Sequence, residues 1–136
     1  MKHGNVIWFE IPVKDLDRAM LFYSEMLGVS IEKKTLHKKE YGMFDKKKTG
    51  IGGVLVKRPK HARKGVTLFF FVNVLSDAID AALAQGGKII TPKMILKQTN
   101  TEGKTILAHN LLDNQVGYFA QLVDSEGNRL ALYSHH

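Results

Sequence analysis

The 136 residues contain no cysteine, which excludes disulfides and thiol chemistry and removes any need for an oxidising compartment. No apolar run approaches the ~18 residues that a membrane span requires. The opening MKHGN leads straight into a strand pattern, with no apolar h-region and no small-residue cleavage site, so a secretory signal is not expected. A cytoplasmic protein without membrane contact is the expectation. There is no Ser-His-Asp or Cys-His arrangement and no phosphate-binding glycine loop; Gly52-Gly53 and Gly86-Gly87 read as strand and cap glycines. What is present is ordinary globular material, 44% hydrophobic and 24% charged, at a length that buries one core without metal or disulfide staples.

Acidic charge is in short supply. Twenty Lys and Arg stand against thirteen Asp and Glu, a formal charge of +7, and the excess sits largely in the tracts Lys33 to Lys48 and Lys57 to Lys64. Such a surface attracts nucleic acid or an anionic ligand at long range. It also serves as a solvated, lysine-rich edge that keeps strands from pairing between molecules. The second role is the expected one and nucleic acid is not an expected partner, because lysine without interleaved exposed aromatics makes a poor nucleic-acid surface. The closing Ser134, His135 and His136 are either a native end or a purification-tag remnant, and no function is assigned to these histidines.

The chain repeats itself. A shift of 59 residues places Val13 on Val72, Leu16 on Leu75, Ala19 on Ala78, Met20 on Ile79, Gly28 on Gly87 and Ile31 on Ile90. Ile7, Phe9, Ile11 and Val13 alternate as a strand with one buried face must, and Val66, Leu68, Phe70 and Val72 do the same. Amphipathic helices follow, with Leu16, Ala19, Met20, Tyr23 and Leu27 on one stripe and Leu75, Ala78, Ile79, Ala82 and Leu83 on the other. Asp15, Asp17, Ser76 and Asp77 supply acceptors and charge near the helix starts; Gly28 and Gly86-Gly87 stop the helices.

Short strand-like pieces come next: VSIEKK, EYGMFDK and GGVLVKR in the first copy, KIITPK, VGYFAQLVD and NRLALYS in the second, with glycine turns at 47 to 52 and 124 to 129. Each copy therefore reads β-α-β-β-β. Module one covers about 5–57, a charged linker 58–65, and module two 66–134, within one domain. The polar stretch 95–115 is longer than its counterpart, and insertions of that kind often border a site.

Two such modules, with DLDRAMLFYSEMLG in the first and GGKIITPK followed by GYFAQLVDSEGNRLALYS in the second, resemble the vicinal oxygen chelate superfamily. That superfamily holds glyoxalase I, bleomycin resistance proteins, fosfomycin resistance enzymes and extradiol dioxygenases. The group described as related to lactoylglutathione lyase is the most similar in its motifs. The resemblance implies an α+β fold in which two tandem β-α-β-β-β modules form an open, curled mixed sheet, with a concave cavity and helices outside. Phe9, Ile11 and Val13 would then lie under a helix, and Trp8, Glu10 and Pro12 would face the cavity. Homodimers are common in the superfamily, and a homodimer is expected here.

The resemblance also implies four metal-ligand positions. These fall on Trp8, Val54, Thr67 and Ala131. Indole, isopropyl and methyl groups offer no lone pair to a divalent ion, and one Thr hydroxyl is a weak ligand, whereas a nickel, zinc or iron site takes several imidazole or carboxylate donors. No metal and no other cofactor is therefore expected. His3, His37, His61 and His109 lie in polar termini, loops or the insertion and read as surface residues.

The cavity-facing residues left are Trp8, Glu10, Thr67, Phe69, Gln121, Arg129 and Tyr133, with His109 a possible addition from the insertion. Aromatic lining with a few polar groups suits a small organic molecule, uncharged or anionic. Glu10 is the candidate catalytic residue, a general base if burial raises its pKa; alternatively it pairs with Arg129 or accepts backbone hydrogen bonds. Trp8 and Phe69 either stack on a flat ligand or fill space. The expected function is thus metal-independent binding or catalysis, with enzymatic activity left open. The alternatives are a divalent-metal-dependent lyase or dioxygenase of glyoxalase type and a basic surface that binds anionic partners.

Overall fold

A computed structural model describes residues 1–36, 38–62, 64–96 and 112–136, and the backbone alone of 98–99 and 105–106. The chain forms two compact units, Trp8–Thr67 and Leu68–His136, the latter joined by Met1–Ile7.

In the first unit, strands β1 (Val6–Val13), β2 (Ile31–Leu36), β3 (Lys39–Phe44) and β4 (Gly52–Lys57) lie in the order β2-β3-β4-β1, with β1 parallel to β4 and the other pairs antiparallel. Between β1 and β2 runs helix α1 (Leu16–Leu27). Its start is fixed by Asp15, whose carboxylate accepts from the Arg18 backbone N–H at 3.0 Å, and its end by Gly28 at φ 66°, a conformation that glycine adopts without Cβ clash. The expected strand parity holds. Phe9, Ile11 and Val13 pack with Leu16, Ala19, Met20, Tyr23, Phe44 and Leu55 beneath α1. Leu55 is fully buried there, a burial worth roughly 1.5–3 kcal/mol for a side chain of this kind.

In the second unit, β5 (Thr67–Phe71) is followed by helix α3 (Leu75–Ala84) and β6 (Lys88–Ile95); α2, in the first unit, is taken up below. The short pair β7 (Gln98–Thr99) and β8 (Thr105–Ile106) comes next, then β9 (Tyr118–Val123) and β10 (Arg129–Ser134). The order is β5-β10-β9-β6, with β5 parallel to β10. Val72, Leu75, Ile79, Ala120, Leu122 and Leu132 form its core under α3. Between β9 and β10 the Asp124 carboxylate accepts from the backbone N–H groups of Glu126 and Asn128, both at 2.8 Å, and Gly127 takes φ 89°. These bonds specify the turn that Asp124 and Gly127-Asn128 were expected to form. The N-terminus docks on β5 through the Gly4 N–H to Phe71 carbonyl bond, and His3 Nδ1 accepts from the Asn73 N–H at 3.0 Å.

Several details differ from the sequence expectation. The glycine turn after β3 contains one turn of helix, α2 (Lys46–Thr49), because Asp45 caps it through both its carboxylate and its carbonyl. Helix α3 starts at Val74 with no side-chain cap, so Ser76 and Asp77 contribute no capping bond, although Asp77 puts charge in the first turn. Leu27 and Leu83, 48% and 43% exposed, stand outside both cores, although Ala82 beside Leu83 packs against its own. Strand β6 runs through Pro92 with two register shifts against β9, which an edge strand accommodates. Among the described residues, no helix is long and apolar enough to cross a membrane.

Candidate functional site

The register of the first sheet sets its second face. Trp8, Glu10 and Pro12 on β1 stand beside Gly52, Val54 and Val56 on β4, and Val54 and Val56 beside Met43 and Tyr41 on β3. All point away from α1. The same parity continues past the end of β4 to Arg58, whose backbone N–H is held by the Val13 carbonyl at 3.0 Å. The Arg58 guanidinium Nη1 reaches Glu10 Oε2 at 3.5 Å, with side chains 32% and 16% exposed. This corrects the expected pairing of Glu10 with Arg129: β1 and β4 are neighbouring strands, so Arg58 arrives on the same face, while Arg129 is exposed at the start of β10.

Burial pushes the Glu10 carboxyl above its ordinary range, and the charges of Arg58 and Lys39 oppose that rise without cancelling it. The Tyr41 phenol is also pushed up, by burial first and then by the Glu10 carboxylate, against the pull of Arg58. Glu10 is thus more basic than a solvated carboxylate, and Tyr41 keeps its proton. Beyond Arg58 the chain turns at once. The Arg58 carbonyl accepts from the His61 and Ala62 N–H groups at 2.9 and 3.0 Å, with Pro59 at the turn position its fixed φ favours. This turn and Lys39 of β3 border an open pocket of about 510 Å³ lined by Lys39, Arg58, Pro59, Lys60 and His61.

The other anticipated residues are distributed as follows. In the first unit, Trp8 is 3% exposed and lies against Gly52, and Thr67 is 9% exposed. In the second unit, Phe69, Ala131 and Gln121 are register neighbours across β5, β10 and β9, and the Thr91 hydroxyl donates to Gln121 Oε1 at 3.4 Å. Tyr133 is fully buried and its hydroxyl donates to Asp113 at 2.8 Å. His109 and His37 lie outside the described residues. At the four inherited ligand positions the side chains remain indole, isopropyl, hydroxyl and methyl, with Val54 and Ala131 essentially without solvent contact. This donor set does not fit a divalent ion. Among the described residues, no group of three or more His, Asp or Glu is arranged to hold one.

Two groupings escaped the sequence reading. Arg58 was assigned to a linker, although continuing the parity 54, 56, 58 puts it on the face of Glu10. The second grouping is Asp113, which also meets His135 Nε2 at 2.7 Å. Burial raises the Asp113 carboxyl, but bonds from His135, Tyr133 and the Gln115 N–H outweigh it and leave the group below its ordinary range. Asp113 sits in the irregular segment before β9, where no periodicity pointed to it.

Comparison with known proteins agrees with this architecture. The profile of the Glyoxalase/Bleomycin resistance protein/Dioxygenase superfamily matches residues 5–131. The chain belongs to this superfamily. Its solved structural relatives include a hypothetical protein from Bacillus halodurans, with TM-score 0.61 and 12% identity over 99% of this chain and 96% of that one. Methylmalonyl-CoA epimerase from Mycobacterium tuberculosis aligns with TM-score 0.58 and 14% identity over 98% and 88% of the two chains. The Streptomyces coelicolor methylmalonyl-CoA epimerase, in complex with 2-nitronate-propionyl-CoA, gives 0.58 and 14% over 98% and 95%. At these identities the likeness is one of fold. Among proteins of curated function, none matches this superfamily member in sequence.

Proposed function

We propose that this superfamily member binds a small organic molecule on the Trp8 and Glu10 face of its first sheet, and does so without a divalent metal. The observation that carries this reading is Glu10: a carboxylate 16% exposed, beside Arg58 at 3.5 Å, with its pKa raised by burial. A fold gains no stability from such a group that an apolar residue would not supply, and perturbed carboxylates of this kind concentrate at functional sites. Trp8, 3% exposed, fills space behind this face, and Glu10 is the group able to accept a proton from a bound carbon or oxygen acid and return it. Arg58 would offset the negative charge that develops on the ligand as the proton leaves. The composition of the four inherited ligand positions supports the metal-free part of the reading. A homodimer belongs to the same proposal.

The test is ligand-observed NMR screening of chelator-treated protein against a small-molecule library, repeated with Glu10→Gln and with nickel, zinc, manganese or ferrous iron added. The reading expects ligands whose binding needs no metal and changes with Glu10→Gln. Tight binding of one metal ion per chain in a protein shortened to Ser134, with ligand binding that depends on it, would overturn the reading in favour of a metal-dependent lyase or dioxygenase.

A further inference from the structure

The corner formed by Lys39 and the Arg58–His61 turn has more positive charge than its surroundings neutralise. Lys39, Arg58 and Lys60 are three basic side chains around one pocket, and among the described residues Glu10 is the carboxylate that pairs with one of them, Arg58. Among the described residues, no carboxylate stands within ion-pair distance of Lys39 or Lys60, although Lys33 and Lys34, on the adjoining strand, both have such partners. The turn holds Arg58 and Lys60 together against their mutual repulsion: the Arg58 carbonyl is tied to two N–H groups, and Pro59 fixes the path between them. A local excess of two positive charges is left over.

We propose that this pocket is an anion subsite that takes a dianionic phosphate group of a small organic ligand, with Arg58 shared between that phosphate and Glu10. Arg58 presents five N–H donors in a rigid fork, so it can hold the Glu10 carboxylate with one edge and a phosphate with another. Lys39 and Lys60, which also line the pocket, supply two further charges on flexible stems. A dianion matches the local excess better than a monocarboxylate does. The volume of about 510 Å³ exceeds a phosphate and lies within the range of small-molecule pockets. The pocket adjoins the Glu10 face, so the inference deepens the binding function proposed above and rests on it for the organic part of the ligand.

The test is an amide NMR titration with inorganic phosphate, and with acetate at equal ionic strength. Saturable shifts confined to the amides of Lys39, Arg58, Lys60 and His61 are expected with phosphate, and weaker ones with acetate. Lys39→Gln/Lys60→Gln should weaken phosphate binding about tenfold, a loss of about 1.4 kcal/mol. Lys46→Gln/Lys47→Gln removes the same net charge from α2 and should weaken it less than about twofold. Equal weakening by both double variants would show a diffuse positive field and overturn the subsite. So would the absence of saturation, acetate bound as tightly as phosphate, or preferential binding of a duplex oligonucleotide with shifts spread over the lysine-rich surface. If phosphate binds as described and no organic ligand responds to Glu10→Gln, the subsite stands and the wider binding function fails. If organic ligands respond to Glu10→Gln but phosphate does not bind, the reverse holds.

Discussion

Replacing Arg58 by Met, alone and together with Glu10→Gln, tests whether the pair at the centre of the site interacts as its geometry implies. At 3.5 Å, two unit charges attract by about 4.7 kcal/mol in an effective dielectric of about 20. Arg58 is 32% exposed, so solvent screening and the cost of ordering its side chain reduce the net coupling to about 1–3 kcal/mol. The coupling depends on pH in a definite sense. The folded-state pKa of Glu10 lies above its ordinary 4.5, so the native state binds more protons than the unfolded chain. Stability from this group is therefore fully present below about 4.5 and declines as pH rises through the folded value. Without Arg58 the carboxylate loses its main opposing charge, and the decline reaches further. Urea unfolding of the wild type, both single variants and the double variant at pH 8 should give the full coupling, with Arg58→Met destabilising and Glu10→Gln neutral or stabilising. As pH falls well below the ordinary 4.5 the carboxyl takes up its proton, and the coupling should fall to under about 0.5 kcal/mol. A coupling that is equally large at both pH values, or absent at pH 8, would refute the electrostatic account.

Gly53→Ala should destabilise the first unit by about 1–3 kcal/mol in thermal or urea unfolding, because a Cβ there would lie 2.4 Å from the Phe9 ring, itself packed edge-on against Phe44. An unchanged midpoint would mean that the ring moves freely. Asp15→Ala removes the cap of α1 and should cost about 1 kcal/mol by the same assay. Tyr133→Phe leaves Asp113 without one of its donors and should cost about 1–3 kcal/mol at pH 7. Asp113 has a lowered pKa, so its contribution is present above its ordinary 3.8 and is lost as pH falls through the lower folded value; the Tyr133→Phe penalty should shrink over the same window.

The fold was legible because it is written twice, at low resolution, in periodicities that a repeat makes hard to misread. Alternation in β1 placed Phe9, Ile11 and Val13 beneath α1, where they are found. The errors lie where short-range chemistry outweighs periodicity. One aspartate at position 45 suffices to close a helical turn in a lysine tract. Strand parity put Glu10 on the face away from α1, and the same parity carried two residues past Val56 reaches Arg58, which the Pro and charges of the following segment disguised as linker. Asp113 was out of reach for a different reason, since it lies outside any strand or helix and its bonds to Tyr133 and His135 join positions 20 and 22 residues away.

Glu10 and Arg58 also explain each other's place in the chain. If the pair existed for stability alone, the raised pKa of Glu10 would be an anomaly, since an ion pair built to stabilise holds its carboxylate below the ordinary range, as Asp113 is held. In Glu10 burial wins over two cations, which means that Arg58, 3.5 Å away and 32% exposed, does not satisfy the carboxylate fully. Each partner thus retains unspent interaction capacity: Glu10 for a proton, and Arg58, with Lys39 and Lys60, for negative charge. A ligand bearing both an acidic proton and an anionic group would meet both needs at once, and its binding would be expected to stabilise the fold by more than either group alone, a difference that thermal shift with wild type, Glu10→Gln and Lys39→Gln/Lys60→Gln would resolve.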